Sequence, residues 1–269
     1  SGARHAPPPE RAGIAGSVLA GTSRARRPRR VDPGNARGHG GAPMDFALSD
    51  DQIAFRDTAR AFAAAEMAPH AAEWDRTSFH PRATLRAAAA LGFGALAADP
   101  ALGGTGLGRL DAAIVFEELA RGCPSTAAHL SIHNMATSMV DRYAAEPTRA
   151  ALVPRLAAMD ALAAYCLTEP GSGSDAAALT TRAVRDSEHY VLTGTKAFIS
   201  GGGAADLYVV MARTGGEGAR GISAFVVEAG TPGLSFGAQE RKLGWKSQPT
   251  AMVLLDGDRT VFETLSRRG

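Results

Sequence analysis

Met159-Asp-Ala-Leu-Ala-Ala-Tyr-Cys-Leu-Thr-Glu-Pro-Gly-Ser-Gly-Ser-Asp175 divides this 269-residue chain into two kinds of pattern. Before it, apolar residues recur at helical spacing; after it, they come in short runs with strand-like alternation. Working back from Met159, Pro147 opens a short helix ending near Pro154. Another starts at Pro124 or Ser125 and carries Leu130, Ile132, Met135, Met139 and Tyr143. A third spans about Asp111 to Gly122, and a fourth runs from Pro81 to Gly92. The first in the chain begins at Ser49, where Ser-x-x-Gln and two aspartates make a capping box with acids in the first turn. Its apolar positions Ile53, Phe55, Ala59, Phe62 and Ala63 continue until Pro69.

Working forward, Ala164–Thr168, Thr180–Val184, Tyr190–Leu192, Lys196–Ile199, Leu207–Ala212, Ile222–Val227 and Met252–Leu255 read as strands separated by Gly, Pro, Asp or Ser. The expected class is therefore α+β: an all-α domain over 44–160, then a small antiparallel β-barrel or sandwich over 161–257. Residues 258–269 form a divergent tail. There is no internal repeat.

Composition narrows the function classes. Hydrophobic residues make up 45% of the chain and charged residues 21%, enough for real cores. The net charge of +2 is an average: residues 1–43 carry eight arginines against Glu10 and Asp32, so a +6 leader precedes a body of −4. That leader is rich in Gly and Pro, has no aromatic residue and is expected to be disordered. Its arginines fit an untranslated upstream read-through best, with Met44 as the start; a transit peptide or a nucleic-acid patch are the other readings. Cys123 and Cys166 are too few for a disulfide framework or a zinc module. No run approaches the length of a membrane span.

Several local motifs fail when their context is checked. Gly171-x-Gly173-x-x-Ala176 superficially fits a dinucleotide fingerprint, but no helix follows it; Thr180–Leu192 reads as a hairpin instead. His129 and His133 stand four apart on a helix without a third ligand, which favours a core or interface role, and no metal is expected. Gly194-Thr-Lys196 lacks the upstream glycine of a phosphate-binding loop. Ser172 and Ser174 lack a nucleophile-elbow context. The glycines of 171–173 can still bring backbone N–H groups and small hydroxyls close to a cofactor. Spacing alone leaves Tyr165, Phe198 and Trp245 undecided between core and site.

Taken together, these segments resemble the acyl-CoA dehydrogenase family from Met44 to about Gly257. Tyr165–Asp175 is similar to the family's flavin-binding signature, and Lys196-Ala-Phe-Ile-Ser-Gly-Gly-Gly203 to its second flavin segment. Glu66–Asp75, Ser131–Met135, Asp206–Gly216, Gly230–Gly237 and Lys242–Thr250 resemble the branch acting on short branched acyl-CoA thioesters of valine catabolism, isobutyryl-CoA-like. The resemblance implies FAD, α,β-dehydrogenation with hydride transfer to the flavin, an electron-transfer flavoprotein as electron acceptor, and a homotetramer in full-length relatives. It places Tyr165, Cys166, Leu167, Thr168, Gly173, Ser174, Phe198, Ile199 and Ser200 at the cofactor. Thr168 would donate to the pyrimidine edge, Phe198 would lie against the ring system where many relatives carry Trp, and Ser200 would stand near the reactive nitrogen. Ser174 would contact the acyl-CoA.

The resemblance also puts the catalytic Glu, an Arg for the pyrophosphate and a glycine-rich closing segment in a C-terminal helical bundle, which this chain is expected to lack. No catalytic residue is therefore assigned, Glu263 included. Two functions compete: the flavin-dependent enzyme, and a non-catalytic remnant that at most binds FAD or acyl-CoA weakly. Nucleic-acid or membrane binding is not expected. The expected compartment is bacterial cytoplasm, or mitochondrial matrix if the leader is a transit peptide.

Overall fold

Ser49 caps helix α1 (Asp50–Phe62) as its sequence requires: its hydroxyl accepts from the Gln52 N–H, and the Gln52 side chain accepts from the Ser49 N–H in return. The computed structural model describes residues 46–187, 189–257 and 263–265, the last three as backbone alone. The expected leader lies outside these residues, as does most of the 258–269 tail.

The first departure comes at Pro69. The helix was expected to stop there, yet the backbone stays helical through a π-helical turn (Ala63–Met67) and α2 (Ala68–Thr77). The Ala68 N–H reaches back five residues to the Ala63 carbonyl. That widening gives the pyrrolidine ring room against the preceding turn. Helices α3 (Arg82–Ala90), α4 (Arg109–Gly122) and α5 (Pro124–Tyr143) follow. The last helix, α6 (Glu146–Ala157), runs through Pro154 rather than ending at it. An internal proline costs about 3 kcal/mol. Full burial of Val153 and Leu156 on that same turn offsets it at about 2 kcal/mol each.

After α6 the chain enters a curled sheet of eight strands: β1 (Ala163–Cys166), β2 (Arg182–Asp186), β3 (His189–Ser200), β4 (Leu207–Arg213), β5 (Ile222–Glu228), β6 (Leu234–Phe236), β7 (Thr250–Asp256) and β8 (Glu263–Leu265). The helices-then-sheet order matches the reading of the sequence. Three details differ. The runs 190–192 and 196–199 are one strand, because Gly194 keeps its place in the ladder opposite Leu255. Strands β6 and β8 have no strong apolar pattern and pair only at the sheet's ends. The sheet is also mixed, since β1 lies parallel to β4 while β5 lies antiparallel to it.

Two apolar clusters use the two faces of β4. Tyr208 and Val210 belong to the cluster that includes Phe62, Met67, Leu85, Leu119 and Leu130, while Leu207 and Val209 belong to the one that includes Val140, Val153 and Leu156. Polar braces cross the same seam. Asp206 accepts from Arg82 and from the Leu162 N–H. His133, on α5, uses both ring nitrogens: Nε2–H donates to the Leu156 carbonyl at 2.9 Å, and Nδ1 accepts from the Ala163 N–H at 2.9 Å. The expected core role for the two histidines of α5 therefore stands, with His133 fixed as the Nε2–H tautomer.

A proton on Nδ1 of His133 would remove the acceptor for Ala163, and burial already holds this imidazole down at about 4. Burial, with the neighbouring His80 adding to it, pulls His129 down to about 3. In the unfolded chain both take a proton near pH 6.5, so the unfolded state binds more protons below that point. Their contribution is complete above pH 6.5 and is lost as pH falls toward 4. His80, held down at about 4 by burial and by Arg82, adds a third such group, so urea unfolding measured from pH 7.5 to 4.5 should show stability falling with an uptake of about three protons. A flat profile across that window would contradict the neutral, buried histidines.

Candidate functional site

Strand β4 lends one edge to two different strands. Strand β1 pairs with its first half, from Ala163 opposite Leu207 to Cys166 opposite Val210, and β2 rejoins at Arg182 opposite Arg213. Residues 167–181 must therefore leave the sheet and return. They cross first to β3, where the Ala197 N–H donates to the Thr168 carbonyl at 2.8 Å. A tight turn follows, with Glu169 and Ser172 exchanging backbone hydrogen bonds of 2.9 and 3.1 Å. Near the far end Arg213 fixes the loop by donating to the carbonyls of Ala177 and Leu179.

Beneath this loop sits a buried ion pair. Lys196 Nζ lies 2.8 Å from Glu169 Oε1, with the two side chains 0% and 4% exposed. The same ammonium donates to the Leu167 carbonyl at 3.1 Å. Glu169 also accepts from the Thr180 N–H and hydroxyl and from the Thr181 N–H, at 2.7, 2.8 and 2.9 Å. Burial pushes the Glu169 carboxyl up, but the Lys196 ammonium and the threonine donors outweigh it and hold the group at about 2. Burial lowers the Lys196 ammonium from its ordinary value.

A bulge in β3 decides what the next residues present. Lys196 pairs with Val253 and Ile199 with Ala251, so three steps on β3 span two on β7. Phe198 absorbs the extra residue at φ 57°, in the left-handed region, and its ring is 67% exposed. Trp245 repeats the combination at φ 57° and 53% exposed. Neither is a core residue, which removes that alternative; Tyr165 is half-buried. A bulky residue at positive φ costs about 1–3 kcal/mol, and packing within the chain does little to offset it here.

The other residues singled out from sequence divide into groups. Leu167, Thr168 and Ser200 are half-buried around the Thr168–Ala197 crossing. Cys166 and Ile199 point into the core and can offer a ligand only backbone; burial pushes the Cys166 thiol up to about 12. Gly173 and Ser174 are exposed on the loop, and no hydrogen bond among the described residues ties them to β3. A Cβ at Gly171 or Gly173 would meet no other atom within 4 Å, so the chain's own packing does not demand these glycines. The hydroxyls of Thr168, Ser174 and Ser200 have no partner among the described residues.

Glu169 with Lys196 is the pair that the sequence reading did not find; the two stand 27 apart and no local pattern links them. Beside Ser174, a groove of about 650 Å³ begins at Asp175 and is lined by Thr180, Arg182, Arg213 and Glu217. Its two arginines face two carboxylates, so the lining is near neutral. Among the described residues no group of three or more metal-ligating side chains occurs, and no helix is long and apolar enough to cross a membrane.

Chemically, the two crossing segments present an exposed aromatic ring, unpartnered hydroxyls and unobstructed glycine backbone. That combination suits a planar, hydrogen-bonding ligand. A surface role for Phe198 has a measurable consequence. Phe198→Gly should leave unfolding free energy within about 1 kcal/mol of the parent, because lost contacts and relieved strain nearly cancel. Phe225→Ala, in the core, should cost about 3–5 kcal/mol. Equal costs from urea denaturation would contradict this placement.

Comparison with known proteins gives a consistent picture. The family model for the N-terminal domain of acyl-CoA dehydrogenases matches residues 49–160, and that for the middle domain matches residues 164–257. Mitochondrial isobutyryl-CoA dehydrogenase of Bos taurus is 58% identical over 211 residues, covering 78% of this chain and 51% of its own. That of Dictyostelium discoideum is 50% identical over 219 residues, covering 81% and 53%. Among solved structures, butyryl-CoA dehydrogenase from Megasphaera elsdenii superposes with a TM-score of 0.75 at 30% identity, over 84% of this chain and 61% of that one. A glutaryl-CoA dehydrogenase from Mycobacterium smegmatis in complex with FADH2 gives a TM-score of 0.75 at 28% identity, over 82% and 56%. The chain spans about half the length of the curated relatives it matches.

Proposed function

Because the chain belongs to the acyl-CoA dehydrogenase family, we propose that its two crossing segments form the FAD-holding face for α,β-dehydrogenation of a short branched acyl-CoA, isobutyryl-CoA-like. The observation that carries this reading is Phe198: a strained, exposed aromatic residue next in the chain to Ala197, whose N–H holds the Thr168 carbonyl, while the Thr168 hydroxyl has no partner among the described residues. The branched substrate is supported by the identities of 58% and 50% to isobutyryl-CoA dehydrogenases.

The residues fit the cofactor chemically. FAD, when bound, supplies the acceptor for the hydride leaving the acyl β-carbon. Thr168 would offer its hydroxyl as a preorganised hydrogen-bond donor to the bound cofactor, in a half-buried setting. Phe198 covers an apolar ring face and excludes water from it. Ser200, two residues on, adds a second hydroxyl, and the backbone of Tyr165, Cys166, Leu167 and Ile199 forms the floor. Gly173 allows close approach, and Ser174 beside the groove contacts the acyl-CoA.

Glu169 is not the proton acceptor of the reaction. It is enclosed, held ionised, and all its hydrogen bonds are taken. The α-proton's acceptor is assigned by family resemblance to the part of the longer relatives that this chain does not span. Passage of electrons to an electron-transfer flavoprotein rests on family membership, and homotetrameric assembly on the resemblance alone.

FAD titration followed by flavin fluorescence tests the reading. Saturable quenching is expected, with Thr168→Val weakening affinity about fivefold, the value of one hydrogen bond of about 1 kcal/mol. No saturable binding would overturn it.

A further inference from the structure

Resting on that reading, we infer that Glu169 and Lys196 are positioning residues: their buried pair fixes Thr168 and the loop 170–181 against β3, so that the two cofactor-facing segments keep one spacing. The geometry is specific. The two acceptors of the Lys196 ammonium, the Leu167 carbonyl and the Glu169 carboxylate, lie on either side of Thr168 in the chain. The Thr168 carbonyl is itself held by the Ala197 N–H, next to Lys196. Thr168 is thus straddled from both sides, leaving its N–H and its hydroxyl as the polar groups without a partner among the described residues, both available to a ligand.

Glu169 does the same for the loop. Each carboxylate oxygen takes two donors: Thr180 N–H and hydroxyl on Oε2, Thr181 N–H and Lys196 on Oε1. The carboxylate therefore closes the 170–181 loop at its far end, and the Glu169–Ser172 turn closes the near end. Gly173 and Ser174 lie between these two anchors. An apolar pair of equal volume would serve stability about as well as a buried ion pair. Such a pair could not hold two backbone N–H groups and a carbonyl in fixed directions. The consequence of the pair is therefore directional rather than adhesive.

The test uses the full chain and three readouts: thermal melting, residue-resolved amide exchange and FAD titration. In Lys196→Met and Glu169→Gln one polar partner is left behind, so melting temperature should fall. In the double variant Glu169→Met/Lys196→Met no charge is left unpaired, so melting should recover above both single variants, yet stay below the parent because the buried Thr181 N–H and the Leu167 carbonyl lose their partners. Exchange at Thr180 and Thr181 should nevertheless stay at least tenfold faster than in the parent, with β4 and β5 unchanged, and FAD affinity should stay at least tenfold weaker. Recovery of slow exchange together with melting temperature would overturn the proposal. Should the double variant fail to fold, Thr180→Val removes one donor to Glu169 at an exposed position. It should speed exchange at Thr181 at least threefold, and unchanged exchange would overturn the proposal. If the parent binds no FAD, the cofactor reading fails, while the exchange data still decide whether the pair holds the loop.

Discussion

Strand β4 has a single edge to offer on one side, and two strands claim it. Strand β1 takes the first half in parallel, β2 takes the end, and the fifteen residues between them must be accommodated off the sheet. Backbone N–H and C=O groups released from a ladder need other partners when they are covered. That requirement explains the Thr168–Ala197 bond, the Glu169–Ser172 turn, the Arg213 contacts and the carboxylate under the loop. The candidate site follows from it: the loop that cannot stay in the sheet carries Thr168, Gly173 and Ser174, and the strand it crosses carries Phe198 and Ser200.

Two kinds of polar burial do different work around this split. His133 braces α6 and β1 as a neutral ring, with one nitrogen donating and the other accepting, so it is satisfied only while uncharged. Glu169 and Lys196 are satisfied only as a pair. The first makes the seam between helices and sheet sensitive to acid; the second fixes direction within the loop. Bulge strain at Phe198 belongs to the same economy. The bulge lets Lys196 and Ile199 both face inward while Phe198 faces out, at the cost of a left-handed phenylalanine.

Much of the architecture was legible because period is a strong signal over long segments. The capping box at Ser49, the proline start of α5 and the switch after Met159 all read correctly. Pro69 and Pro154 misled, since a π-helical turn in one case and full burial of Val153 and Leu156 in the other outweighed the local preference to stop. Strand direction was not legible: four residues of β1 look the same parallel or antiparallel. At the site, the two segments could be named from their motifs, but not what joins them. A lysine in a strand reads as solvent-facing, so Lys196 at a core position was invisible until the bulge and Glu169 were seen together. The outward turn of Phe198 has no signature in residue order.

The central claim is that residues 167–174 and 197–200 together make one cofactor face. Residue-resolved amide exchange of the full chain with and without saturating FAD addresses it directly. Slowed exchange should appear in both segments at once and leave α6 and the β5–β6 connection unaffected. FAD-dependent slowing confined to one segment, or located elsewhere in the fold, would contradict it.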